Sequence, residues 1–166
     1  MKFLNRLKVE EFLHQQGRSN RPADLDVELS KFDEYCINFT LPESPGKTLA
    51  AIRYLFEEKI QCSWILIIIE SSGIWPSWQD TNLYGMMRTA RGGANDWLYG
   101  EGHLFDPSEN LDIISFVTVF SNFRWNFRVI DSTKNFNLSV SHDDHGKLFK
   151  ANLTKEFNET FSKFFI

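Results

Sequence analysis

A chain of 166 residues, 42% hydrophobic and 24% charged, is long enough for one domain that buries roughly two thirds of the surface its unfolded form exposes. Its formal charge of −4 argues against nonspecific nucleic-acid binding, which draws its affinity from lysine and arginine on phosphates, and favours a basic protein partner. Cys36 and Cys62 belong to no CxxC or spaced ligand set and read as reduced thiols, and the longest apolar run, Trp64 to Ile69, is far too short to span a bilayer.

The first sixteen residues, with Phe3, Leu4, Leu7, Phe12 and Leu13 at helical spacing, read as an amphipathic helix ended by Gly17. They lack the apolar stretch and cleavage site of a signal peptide, so the expected location is the cytoplasm. RSNRPADLD reads as a surface loop, and ADLDVELSKFDE as a solvated acidic face. Alternation over Phe32 to Leu41 predicts a strand. Ser44 and Pro45 then open a helix with Leu49, Ile52, Leu55 and Phe56 on one side. SWILIII, from Ser63, is apolar on both faces, as a central strand covered on both sides should be. A right-handed crossover through the intervening helix would set these two strands parallel.

After the aromatic corner GIWPSWQDTNLYG, Ser77 and Asp80 suit a helix start, Leu83, Met86, Met87 and Ala90 share a face, and Gly92 with Gly93 stops the helix. ANDWLYGEGHLF, residues 94 to 105, reads as a loop. DPSE, residues 106 to 109, predicts a capped start for the apolar helix through LDIISFVTVFSNF. NFRVID and FNLSVSHD form a predicted hairpin around Ser132 to Asn135. A last helix carries Leu153, Phe157, Phe161 and Phe164. The expected fold is α+β: one globular domain over residues 1–166, with a small mixed sheet made of a parallel βαβ unit and a C-terminal hairpin, covered by helices.

No catalytic motif is present. ESPGKT, residues 43 to 48, ends like a phosphate loop, but Leu41 stands where the first glycine is needed, and a capped helix start accounts for the same letters. SHDDHG brings His142, Asp143, Asp144 and His145 together as possible metal ligands, with His103 as a distant fifth; a metal-dependent enzyme would require them to converge. A nucleic-acid binder would require Arg88, Arg91, Arg124 and Arg128 on one face. No cofactor is expected. Trp75 and Trp78 either plug the end of the sheet or form a binding hot spot. Trp97 and Tyr99, beside Asp96 and Glu101, either pin their own loop or anchor a basic partner.

With GIWPSWQDTNLYGMMR, GHLF and VSHDD, residues 73 to 144 resemble small bacterial proteins that share a WPS segment followed by Asn and LY, then GHLF, then a strand ending in SHD. Element order, size and acidity also resemble immunity proteins of contact-dependent growth inhibition and related polymorphic toxin systems. The resemblance implies a non-enzymatic cytoplasmic protein that binds the C-terminal domain of a cognate toxin, often a nuclease, and occludes its active site or substrate surface, without contacting nucleic acid or membrane. Candidate contact residues, chosen by expected exposure, are Trp75, Trp78, Asp80, Trp97, Tyr99, Glu101, Asp143 and Asp144.

Overall fold

The computed structural model describes residues 1–18, 36–57, 61–71, 78–92 and 102–165. Along them run β1 (Lys2–Leu4), α1 (Arg6–Gln15), β2 (Cys36–Thr40), α2 (Pro45–Glu57), β3 (Ile65–Ser71), α3 (Trp78–Ala90), β4 (Gly102–Phe105), α4 (Asn110–Asn122), β5 (Asn126–Asp131), β6 (Phe136–Val140), β7 (His145–Lys150) and α5 (Lys155–Ser162), closed by a 3-10 turn at Lys163–Phe165. The acidic run 23–34 and the corner 73–77 lie outside the described residues.

The strands form one seven-stranded sheet in the order β1-β4-β3-β5-β6-β7-β2, with every neighbouring pair antiparallel. The expected parallel βαβ unit is therefore absent. Strands β2 and β3 do point the same way, as alternation along that order requires, and α2 connects them, but β5, β6 and β7 lie between them. Short turns link those three strands into a meander that takes the place beside β3. Strand β2 is left with the outer edge of β7, in register from Cys36 opposite Phe149 to Thr40 opposite His145.

The period of two separates the faces of this sheet. On the first face Ile65, Ile67 and Ile69 of β3 join Phe127, Val129, Leu138, Val140 and Leu148 under residues of α2, α4 and α5. On the second face Leu66 and Ile130 pack against Val9 and Leu13 of α1. Strand β3 is thus covered on both sides, as its unbroken apolar run implies.

Two short strands correct the sequence reading. Asn5 caps α1, its side-chain oxygen accepting from Lys8 N at 3.0 Å, so Phe3 and Leu4 precede the helix and pair with β4. GHLF is β4 itself, and Gly102 is what lets α1 approach it: a Cβ there would stand 2.5 Å from Val9 Cγ2. Arg18, expected in a surface loop, is buried and donates to the Asp131 carbonyl beneath the end of α1. The DPSE segment makes the reciprocal bonds expected of it, with Asp106 N donating to Glu109 Oε2 at 2.9 Å and Ser108 N to Asp106 Oδ1 at 2.8 Å. They close a turn that precedes α4 rather than its first helical turn. On α2 the buried side is Thr48, Ala51, Ile52, Leu55 and Phe56, and Leu49 is exposed.

The register also explains Gly146, which faces Phe39 on β2; a Cβ there would overlap the Phe39 ring. Gly146→Ala is expected to cost about 1–3 kcal/mol of stability. In a urea-unfolding double-mutant cycle with Phe39→Leu, the two losses should be clearly less than additive, since the smaller side chain vacates the clash.

Candidate functional site

Helix α3 is held to the sheet by polar as much as apolar groups. Among its described side chains, Tyr84 and Arg88, one turn apart, are the buried ones, at 0% and 4% exposure. The register of β4 sets His103 opposite both Ile67 and Phe3, on the first face beneath α3. There His103 Nε2 meets Tyr84 Oη at 2.7 Å in a fully buried hydrogen bond. Aromatic rings enclose the pair: Phe116 and Phe120 lie 5.1 and 5.7 Å from the imidazole, and Trp125 stands edge-on to Tyr84 at 5.3 Å. The Arg88 guanidinium lies 4.9 Å from the Phe3 ring and 5.6 Å from the Tyr84 ring, in the geometry of cation–π contacts. Burial, and then the nearby Arg88 charge, push the His103 pKa from 6.5 down to about 3, so the ring is neutral at physiological pH.

Anchoring through Tyr84 and Arg88 turns the more apolar stripe of the helix outward. Leu83 is 44% and Met86 69% exposed, and Ala90 is exposed with them, so the face these residues were expected to share with Met87 points outward; Met87 is half-buried. From Asn82 to Ala90 the only charged residue is the buried Arg88. Gly85 sits mid-helix with open space where its Cβ would be, so internal packing gives no reason for a residue that weakens helices by roughly 0.5–1 kcal/mol relative to alanine. The result is a smooth, uncharged, partly apolar strip. Just beyond it Arg91 pairs with Asp112 of α4, beside Leu111, which is 80% exposed.

The residues proposed from sequence fall in three groups. Trp75, Trp97, Tyr99 and Glu101 lie outside the described residues. Trp78 and Asp80 open α3, adjoining the strip in sequence, but their side chains lie outside the description. Asp143 and Asp144 form the β6–β7 turn and are engaged there. Asp144, in a left-handed conformation at φ 71°, pairs with Arg124 at 2.9 Å, and its carbonyl accepts from Leu41 N at 2.7 Å. Asp143 accepts from the Ser141 hydroxyl, which holds its carboxyl below the ordinary range. His142 N donates to Asn126 Oδ1 at 2.6 Å. This turn ties strands together.

The other chemical readings find little geometry to stand on. Among the described residues no three of His, Cys, Asp and Glu converge to hold a metal, and His103 is sealed under α3. The four arginines do not gather: Arg88 is buried, Arg91 pairs with Asp112, Arg124 with Asp144, and buried Arg128 with Glu70 at 3.1 Å. The GKT letters sit in the first turn of α2, where Thr48 is buried and bonds back to the Ser44 carbonyl. The sequence reading placed Leu83, Met86, Met87 and Ala90 on one face without giving that face a direction; the available signal was a second spacing of four, Tyr84 to Arg88, on the opposite side.

The buried imidazole makes stability depend on pH. Its folded pKa lies below that of an unfolded histidine, so between about 6.5 and 3 the unfolded chain binds the extra proton and stability falls as pH falls. The expected slope is about 1.4 kcal/mol per pH unit inside that window. Unfolding curves at pH 7, 6, 5 and 4 should show a flatter dependence for His103→Gln than for the wild type.

No family model matches the chain, and comparisons with curated proteins and with solved structures find no match; none of them bears on the resemblance to immunity proteins.

Proposed function

We propose that this protein is a binding module of the immunity type, which uses the outer face of α3 to dock on a cognate toxin domain and occlude its active site or substrate surface. The observation that carries this reading is the exposure of Leu83 and Met86 on a helix fixed from beneath by buried Tyr84 and Arg88. A rigid element presenting apolar side chains loses little conformational entropy on binding, so more of the contact energy appears as affinity. The absence of exposed charge from Asn82 to Ala90 removes a desolvation penalty at the centre of the contact.

The net charge of −4 supports a basic partner, with the charge speeding encounter and the apolar contact slowing release. Nucleases are basic where they hold nucleic acid, so a nuclease toxin acting in the cytoplasm is the form of the proposal that fits best. Inhibition would be by occlusion, with no chemistry at the interface. Trp78 and Asp80, at the start of the same helix, are the sequence-derived candidates that adjoin the strip.

The test is to co-express the tagged chain with the product of the gene immediately upstream. A stoichiometric complex that survives moderate salt and protects cells from that product is the expected result; no complex and no toxicity would overturn the proposal. Leu83→Asp with Met86→Asp should weaken the complex by 100-fold or more, about 2.7 kcal/mol, while leaving the thermal unfolding midpoint nearly unchanged. Gly85→Ala should raise the stability of the free protein by roughly 0.5–1 kcal/mol and weaken the complex, because the added methyl group stands where the partner approaches.

A further inference from the structure

The sheet has two open edges, and they are built differently. Strand β1 forms one with three residues and an exposed Lys2. Strand β2 forms the other with five residues, none of them charged, and its pairing register runs without a bulge. A free edge invites pairing with another chain, and proteins blunt such edges by shortness, charge, bulges or proline. The β1 edge is blunted by shortness and charge. The β2 edge has no such guard before Pro42.

The ladder fixes which backbone groups face outward. Leu41 N donates to the Asp144 carbonyl at 2.7 Å, and the register continues that pairing through Phe39 opposite Gly146 and Ile37 opposite Leu148. Bonded residues alternate along an antiparallel strand, so the N–H and C=O groups of Asn38 and Thr40 point away from β7. Both of these residues are exposed, and among the described residues no strand lies beyond them. The Phe39 ring leans back over Gly146 and packs on Phe161 and Phe165, so it does not obstruct the outer edge.

We propose that the β2 edge pairs with the same edge of a second copy of this chain, antiparallel about a two-fold axis at Phe39. Asn38 of each copy exchanges N–H···O bonds with Thr40 of the other, and the two Phe39 residues stand opposite each other between these pairs. This register keeps Pro42, which has no N–H to give, outside the ladder. Charge selects the occupant. From Cys36 to Pro42 the chain has no charged residue, so two copies meet there without setting like charges opposite each other, despite the net charge of −4 on each. A strand from the basic partner proposed above would find no carboxylate on β2 to pair with. Pairing also carries the apolar layer across the axis: Ile37 and Phe39 belong to the first face, and half-buried Phe165 stacks on Phe39 at 4.7 Å. The site is separate from α3 and does not rest on the toxin-binding proposal.

Sedimentation velocity of the whole chain from about 10 µM to about 1 mM is the test. A junction of this length falls short of the roughly 1,200 Å² at which stable interfaces begin, so a reversible monomer–dimer equilibrium is expected, with a dissociation constant of about 100 µM. Thr40→Pro takes away an outward N–H and no bond to β7, and should weaken the dimer by about 10-fold or more. Asn38→Lys with Thr40→Lys, both at exposed positions, should do the same while leaving the thermal unfolding midpoint of the dilute protein nearly unchanged. Mixing that variant with Asn38→Glu, Thr40→Glu should restore dimers, because the register sets each lysine opposite a glutamate. A monomer at every concentration, a dimer that survives the lysine pair, or a dimer abolished by Leu83→Asp with Met86→Asp would overturn the assignment. So would a chain that is monomeric alone and whose lysine variant no longer binds the upstream product, since the edge would then belong to that partner.

Discussion

The hydrogen bond between Tyr84 and His103 is the contact on which the arrangement of the helical face depends. It lies at zero exposure inside a shell made by Phe116, Phe120 and Trp125, and joins α3 to β4 where neither has a continuous apolar side to offer the other. The Nε2 of the neutral imidazole and the phenol hydroxyl satisfy each other there. A buried polar group left without its partner costs about 1–3 kcal/mol, so the pairing also selects one rotation of α3 about its axis. That rotation sends Leu83 and Met86 outward. The proposed binding surface is therefore a consequence of how the core is satisfied, and the strip is as fixed as the core beneath it.

Much of the architecture was legible where local pattern decides it. The two-sided apolar run of β3, the hairpin of β5 and β6 with its turn at 132–135, and the helices α2, α4 and α5 all follow from periodicity and turn chemistry. What periodicity does not contain is adjacency. Strands β2 and β3 have the lengths and crossover helix of a parallel unit, but the meander β5-β6-β7 competes for the same position with short connections, and wins it. Strands β1 and β4 have three and four residues, too few for an alternation to register, and they exist because they pair with each other and with β3. The orientation of α3 is not contained in its own letters for a related reason: its inward residues are recognised by His103, nineteen positions from Tyr84, and by Phe3 at the far end of the chain.

The candidate site was legible only in outline. The helix after the aromatic corner was singled out, but through Trp78 and Asp80 rather than the strip that follows them. The SHDDH segment drew attention as a ligand set, yet its letters serve a turn: Asp144 holds Arg124, Asp143 caps Ser141, and His142 rests on Asn126. Net charge does not show where charges are placed: in a chain of charge −4, Lys147, Ser139 and Arg128 fall in one row of a sheet face. Such placement is invisible until register brings the strands side by side.

Native-state hydrogen exchange tests most directly whether α3 is a fixed platform. If Tyr84 and His103 hold the helix as part of the core, the amides of residues 84 to 88 should exchange with opening free energies close to those of Ile67 and Val129 in the central strands, and Tyr84→Phe should lower the protection of α3 far more than that of the sheet. Rapid exchange of α3 in the wild type while β3 and β5 stay protected would contradict the account, because a helix that opens by itself does not present Leu83 and Met86 as a preformed surface.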